Sequence, residues 1–492
     1  MELHFNLDGT HSFLTKVLYP AGALALFQSR FAQSAPALAH RVFCHIALVE
    51  CLKFIAVFPR TLELGCIASG LTEDSLRFFT LVAGNAWGQH FHENDVRDYH
   101  GPAFLVNGKP AEQSDLIRRG ADAAPLPEDL WKPAPSDPAA LPPLLCSNGG
   151  GKDSFLAMKL LEEAGFPVHV FQHARTEYGP FSHQHQMQKN FFPHIDALNR
   201  NKGGKGRVHE ISIIDDFTDG SMMALLNPDL RGEAILGHPC QVGWPEMVFE
   251  ALPFTLVHGY AGFSLGNERS ADSAQVDAER NLLDGGREVN HQWLKSFEAC
   301  WALRGFLRAN LAQGIEVFSL LKPVHDYRIY RLLRRYPAVL PDIHSCNIVK
   351  PWCRRCPKCA YVWINLVAMF GEGRLRPIFH ENLLDVEELQ ESWGELLGLG
   401  EHNAFECVGE VDETRLAFRE AHKAGVQGKA MDLFASTFLG DPSKDVAPKI
   451  SLDWEGMERK FDRIYATDHG IPEFVFERVK GRMCLTEGEK IE

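Results

Sequence analysis

Leu144-Leu145-Cys146-Ser147-Asn148-Gly149-Gly150-Gly151-Lys152-Asp153-Ser154-Phe155-Leu156-Ala157-Met158-Lys159-Leu160-Leu161 decides how this chain is read. The apolar lead, Leu144 to Cys146, predicts a strand, and the pattern from Phe155 to Leu161 predicts a helix. Between them lie three consecutive glycines, which let a backbone approach a ligand closely and take positive φ. Strand, glycine turn and helix N-terminus together form a phosphate-binding geometry. The free N–H groups of the first turn point at the anion and the helix dipole adds positive potential. Ser154 has the side chain to cap the helix or to bond a phosphate oxygen. Asp153, beside bound phosphates, suits a magnesium ion.

Two common phosphate loops are excluded. A Walker A loop needs Gly at position 146 and Ser or Thr after the lysine, where this chain has Cys146 and Asp153. A dinucleotide fingerprint needs Gly or Ala where Ser154 stands. What remains, Gly149 to Ser154, resembles the S-G-G-x-D-S signature of the PP-loop ATP pyrophosphatases. Gly149 takes the place of the usual serine, and Ser147 lies two residues earlier. That resemblance implies cleavage of ATP to AMP and pyrophosphate, with Ser147, Asn148, Gly149, Gly150, Gly151, Lys152 and Ser154 around the nucleotide. It also implies an α/β fold, a parallel sheet with helices on both faces.

Composition narrows the partners. The chain has 492 residues, 45% of them hydrophobic, and a formal net charge of −14. An acidic balance disfavours a large nucleic-acid footprint. The most apolar N-terminal stretch, Cys44 to Phe58, is interrupted by His45, Glu50 and Lys53, so no membrane span is expected. Twelve cysteines in so long a chain, with no secretory leader in Met1-Glu2-Leu3-His4-Phe5-Asn6, predict a reducing cytoplasm rather than a disulfide scaffold.

Seven prolines between Pro125 and Pro143 predict a linker over residues 121–143. Residues 1–120 are then expected to form a separate N-terminal α/β domain of unknown role. Residues 144–340 are expected to form the nucleotide domain, 341–380 a cysteine-rich segment and 381–492 a mostly helical region. Strands are predicted at Leu144–Ser147, Val168–Gln172, Val208–Ile214, Phe254–Tyr260 and Ile315–Leu320, and helices at Phe155–Ala164 and Trp293–Ala312. Such sheets bind ligands at the carboxyl ends of their strands. His90, His92 and His100, with Glu93, Asp95 and Asp98, read as a solvated loop rather than a metal cluster.

Four further groups carry chemistry. Asn267, Glu268, Arg269, Ser270 and Asp272 follow a glycine-flanked strand candidate; Glu268 and Asp272 suit magnesium, and Arg269 suits a carboxylate or phosphate. Cys346, Cys353, Cys356 and Cys359, spaced C-x6-C-x2-C-x2-C, can close a structural tetrahedral zinc site. His344 is an alternative ligand, and an iron–sulfur cluster or metal-free thiols also fit the spacing. Arg328, Arg331 and Arg335 recur at helical spacing and are expected to present a basic face to an anionic substrate such as a nucleotide sugar. His402 and Cys407, in His402-Asn403-Ala404-Phe405-Glu406-Cys407, are types that can move a proton.

The combination of glycine loop, G-N-E-R-S-A-D, cysteine cluster and F-E-C-V-G-E resembles the MurL family of UDP-N-acetylmuramoyl-L-alanyl-L-glutamate epimerases. The resemblance implies that ATP and Mg²⁺ adenylate the α-carboxylate of the terminal L-glutamate. The acidified α-proton is removed and returned on the other face, and D-glutamate, AMP and pyrophosphate result, in peptidoglycan precursor synthesis. Asp153, Glu268 and Asp272 would then serve metal or positioning, with Asn267, Arg269, Arg328 and Arg331 on the substrate. His173, His402 and Cys407 stand as candidates for proton transfer. Another AMP-forming enzyme, such as a nitrile-forming deazaguanine synthase or an amide ligase, and a non-catalytic nucleotide-binding regulator are the alternatives. The oligomeric state is not legible in the sequence.

Overall fold

The computed structural model describes residues 1–7, 9–33, 35–86, 99, 101–117, 130–131, 140–217, 243–273, 290–400, 404, 406–440, 447–486 and 491. Its strands are β1 (Glu2–Leu7), β2 (His11–Leu18), β3 (Thr61–Glu63), β4 (Ala103–Val106), β5 (Lys109–Pro110), β6 (Leu144–Ser147), β7 (Val168–Arg175), β8 (Val208–Asp215), β9 (Gly262–Leu265) and β10 (Glu316–Ser319). The main sheet runs β1-β2-β8-β7-β6-β9-β10, and β3-β4-β5 form a small second sheet. From β8 to β10 every pairing is parallel. In their own chain order these five strands lie as third, second, first, fourth, fifth. The strand order therefore reverses between β6 and β9, the place where an open α/β sheet offers a crevice.

The sheet is mixed rather than wholly parallel. Strands β1 and β2 form an antiparallel hairpin, and β2 pairs antiparallel with β8. This corrects the expectation of a separate N-terminal domain: residues 2–18 extend the main sheet. Residues 36–86 cover one of its faces: the helix Pro36–Glu50 packs against the helix Gly243–His258, and the helix Glu73–Ala86 against the helix Phe297–Asn310. Val42, Leu145, Phe171, Ile213, Phe249, Phe263 and Val317 share one continuous core there. Of the proline-rich stretch, Trp131 is buried and its N–H donates to Leu311 O at 3.2 Å. Proline spacing reports a locally extended chain, but it does not say whose apolar face lies on the far side.

The opposite face carries the helix Lys152–Glu163, the helix Asp326–Leu333, the long buried helix Pro357–Phe370 and the short helices that follow. Past residue 380 these are Gln390–Leu396, Val411–Lys423, Lys429–Phe434, Trp454–Phe461 and Glu473–Val479. One predicted strand is wrong in kind: Phe254–Tyr260 begins as the end of the helix Gly243–His258, and the strand is Gly262–Leu265. The helix is buried on nearly every side, so its sequence is apolar all round and periodicity cannot tell it from a buried strand. Among the described residues no helix is long and apolar enough to cross a membrane.

Candidate functional site

The glycine loop leaves β6 at Ser147 and enters the helix Lys152–Glu163 with Gly151 at its N-cap. No side chain caps that helix, so its first-turn amides have no capping acceptor from the protein. Buried Asn148 shapes the loop. Its Nδ2 donates to Gln172 Oε1 (3.0 Å) and Gln188 O (2.9 Å), and its Oδ1 accepts from Gly150 N (2.9 Å). Ser154 Oγ accepts from Gly149 N at 3.1 Å and so braces the turn. Gly150 has φ +79°, and a Cβ there would stand 2.3 Å from His344 Nε2. Only glycine fits.

Charge is concentrated where the loop meets the carboxyl ends of β9 and β10. Lys152 is buried, its Nζ 2.6 Å from Asp153 Oδ1 and 2.6 Å from Asp326 Oδ1. Burial, aided by the Asp326 and Glu268 carboxylates, pushes the Asp153 carboxyl up to about 6 against the pull of Lys152. Burial also works against ionisation of Glu268, but Lys152, Lys295 and Lys358 together hold its pKa below the usual range. Glu268 is therefore a buried anion among three lysines, and Asp153 a proton-poised one. Gly266 lets β9 approach this point: a Cβ there would lie 3.1 Å from the Asp153 backbone.

The other residues of the Asn267–Asp272 loop divide. Among the described residues Asn267 Nδ2 is buried without a hydrogen-bond partner, and one Arg269 nitrogen is in the same state while the guanidinium stacks 3.8 Å from the Tyr465 ring. Asp272 is a tie rather than an open ligand. Its Oδ1 accepts from Lys322 Nζ (2.9 Å) and from Phe297 N (2.7 Å) at the start of the helix Phe297–Asn310. Lys322 also donates to Glu268 O at 2.6 Å, which fixes the backbone beside the anion.

Cys407 reaches this centre through Lys295. Burial lowers the Lys295 pKa, but Cys407 and Glu268 more than offset it and hold the ammonium charged. Cys407 N donates to Glu406 Oε2 at 3.2 Å, and Asn347 Nδ2 donates to the same oxygen at 2.8 Å. His402 lies outside the described residues, as do His90, His92 and His100. His173 is on the face of β7 turned away from the glycine-loop helix, the face of Phe171, which belongs to the core on the N-terminal side.

The four cysteine sulfurs converge. The Sγ atoms of Cys346, Cys353, Cys356 and Cys359 all lie within 4.8 Å of one another. Six backbone amides point at them at 3.4 Å, those of Ile348, Val349 and Cys353 to Cys346, Arg354 to Cys359, Arg355 to Cys353 and Cys359 to Cys356. Amide-to-sulfur bonds of this kind stabilise thiolate, the form that ligates metal. His344 is not part of the set. Its backbone N donates to Gly150 O at 3.0 Å and its ring fills the space beside that glycine.

The expected basic face on the helix Asp326–Leu333 is engaged by the protein itself, with Arg328 buried, Arg331 half-buried and Arg335 exposed. Arg328 is 0% exposed; its Nε and Nη2 donate to Met483 O at 3.1 and 2.9 Å, and it pairs with Asp462. Arg331 pairs with Asp462, and Arg335 donates to Arg482 O and Cys484 O. The helical spacing was read correctly, but the face it makes clamps the C-terminal segment. Asp326, Lys295, Lys322 and Lys358 were missed. Position after a strand was the available signal for Asp326 and Lys322, which follow β10.

Two segments match family models: residues 249–320 the MurL N-terminal domain, and 342–433 the MurL C-terminal domain. Three curated relatives each bear the name UDP-N-acetyl-alpha-D-muramoyl-L-alanyl-L-glutamate epimerase. That of Salinispora tropica is 33% identical over 34% of this chain and 37% of its own length. That of a Micromonospora species is 37% identical over 31% of this chain and 34% of its own. The third, from Xanthomonas oryzae pv. oryzae, is 28% identical over 47% of this chain and 50% of its own. The chain thus spans between a third and a half of the length of the relatives it matches. No solved structure matches.

Proposed function

We propose that this chain is a MurL-type epimerase of the cytoplasm that inverts the terminal L-glutamate of UDP-N-acetylmuramoyl-L-alanyl-L-glutamate, using ATP and magnesium through an acyl adenylate. The observation that carries the reading is the uncapped helix N-terminus at Gly151, set at the strand-order reversal with Asp153, Asp326 and Glu268 around it. Segment matches to MurL over residues 249–320 and 342–433 support the same conclusion.

The residues fit the groups the reaction needs. First-turn amides and the glycine loop suit a pyrophosphate, and Asn148 keeps the loop in shape rather than touching the nucleotide. Asp153, Glu268 and Asp326 supply carboxylate oxygens to a magnesium ion, which when bound screens phosphate charge. Asn267 Nδ2 and one Arg269 nitrogen, buried donors without partners among the described residues, suit the glutamate carboxylates of the substrate. Adenylation turns a carboxylate into an ester-like group, so the neighbouring Cα–H becomes acidic. Cys407, held against the Lys295 ammonium, is placed to take that proton. The four converging sulfurs suit a structural zinc that leaves no open coordination position. It would fix the segment that carries His344 against the glycine loop.

Incubation with ATP, Mg²⁺ and the UDP-dipeptide should release pyrophosphate only when the dipeptide is present, with D-glutamate appearing on chiral analysis. Release without inversion would assign the chain to the ligases instead. ATP binding with no release for any acyl acceptor would make it a nucleotide-binding regulator.

A further inference from the structure

The turn that carries Cys407 is pinned along its length. Val408 N donates to Glu406 O at 2.7 Å, which closes a three-residue turn with Cys407 at its centre. His291 Nε2 donates to the same carbonyl oxygen at 2.9 Å, and Gln292 Nε2 donates to Val408 O at 3.0 Å. Glu406 folds its own side chain back onto the turn. Its Oε2 accepts from Cys407 N at 3.2 Å and from Asn347 Nδ2 at 2.8 Å. Glu406, His291 and Gln292 are all buried. The chain then passes Gly409, where a Cβ would stand 2.2 Å from the Tyr361 hydroxyl, and Glu410 N donates to Glu413 Oε2 at 2.8 Å.

These bonds set the direction of the thiol. Both peptides that flank Cys407 take part: Glu406 O and Cys407 N on one side, Val408 N on the other. Peptide planes are rigid, so holding both fixes φ and ψ of Cys407 and with them its Cα–Cβ bond. That bond leads to Lys295, whose ammonium is hydrogen-bonded to the Cys407 side chain. Gln292 ties the two together, because its Oε1 lies 3.5 Å from Lys295 Nζ while its Nε2 holds Val408 O. Asn347 ties the turn to the cysteine cluster, because it directly follows Cys346. Glu406 Oε1, by contrast, is buried with no hydrogen-bond partner among the described residues. A buried carboxyl oxygen left unmet costs stability, so what Glu406 supplies is placement rather than fold strength.

We propose that Glu406, with Asn347 and Gln292, is a positioning group that aims the Cys407 thiol at the substrate's α-carbon, and so serves inversion without serving ATP cleavage. The proposal rests on the reading of Cys407 as the group that takes the α-proton. Among the described residues none of these three side chains bonds to the glycine loop or to Asp153. The adenylating centre therefore keeps its own contacts when they are removed, while the thiol loses its fixed direction. Proton transfer from carbon depends steeply on that direction, because the sulfur must stand in line with one C–H bond.

The test reads pyrophosphate release and D-glutamate formation in one incubation of the full chain with ATP, Mg²⁺ and the UDP-dipeptide. Glu406→Ala should lower inversion about 100-fold and leave pyrophosphate release within about threefold of the parent. Glu406→Gln keeps an oxygen for both donors and removes the unmet carboxyl oxygen, so inversion should stay within about fivefold and melting temperature should hold or rise. Asn347→Ala and Gln292→Met leave Glu406 in place and should each lower inversion about tenfold with the same selectivity, so the answer does not hang on one variant. Equal loss of both reactions in Glu406→Ala and Asn347→Ala, or no loss of inversion in either, would overturn the proposal and leave the epimerase reading standing. A loss in Glu406→Gln as large as in Glu406→Ala would also overturn it, because the carboxylate would then be needed for more than placement. If the parent protein releases pyrophosphate without inverting glutamate, or if Cys407→Ser inverts at the parent rate, the reading of Cys407 falls and the proposal with it.

Discussion

The helix Asp326–Leu333 uses its two sides for opposite purposes. At its first turn Asp326 meets Lys152, in a group where burial and neighbouring carboxylates push Asp153 up to about 6. Along its flank Arg328 and Arg331 are satisfied by Asp462, and Arg328 and Arg335 by carbonyls of residues 482–484. Both sides are charged. The difference is completeness: the arginine side is saturated by the protein, so it holds structure, while the aspartate side keeps charge to spend on a ligand. Residue type alone assigned the arginines to substrate and passed over Asp326, and the partners separate the two sides.

The comparison is broken first at Asp153. Asp153→Asn keeps the shape but removes the oxygen proposed to take magnesium, and substrate-dependent pyrophosphate release should fall about 1,000-fold, about 4 kcal/mol. Melting temperature should hold or rise, because one of the crowded carboxylates is gone. An equal loss of stability and turnover would place Asp153 with the structural side. Arg328→Met should do the reverse. It strips half-buried Asp462 of one partner and Met483 O of its donor and should cost about 3 kcal/mol of stability by urea denaturation, with KM for the dipeptide unchanged. A raised KM with unchanged stability would restore the arginine face as a substrate surface.

Cys407→Ser sharpens the chemical side. Pyrophosphate release should survive while the rate of inversion falls about 100-fold, because a serine hydroxyl has no accessible anion. Equal losses in both readings would make Cys407 structural. The smallest effect is in pH. Asp153 must be ionised to take a metal, so kcat/KM should fall about tenfold per unit on the acid side, with an apparent pKa near 6. Stability moves the other way. With its folded pKa raised above the ordinary aspartate value of 3.8, Asp153 binds more protons folded than unfolded between those values. Its contribution is present at low pH and is lost as pH rises through about 6. Asp153→Asn should flatten both profiles.

Legibility followed the range of the interactions. The glycine loop was read from Leu144 to Leu161 because strand, turn and helix are set by neighbours a few residues apart. The cysteines could be grouped because their close spacing needs only one turn and a helix start to bring four sulfurs together. Phe254–Tyr260 was misread because burial on all sides erases the period that distinguishes helix from strand. Asp326 and Lys322 lay in plain view but carry no motif; they matter because β10 ends beside β9. Arg328 had the right period and the wrong partner.

By itself, the sequence determined that a glycine turn joins β6 to a helix, that four thiols can meet, and that the chain carries excess negative charge. Tertiary structure alone decided that the first two strands extend the same sheet, that the order reverses between β6 and β9, and that Lys152 faces Asp326 while Arg328 faces Asp462. The physical reason is that a side chain's role depends on what satisfies it, and pairing across long sequence separations is fixed by how helices and strands pack rather than by local spacing.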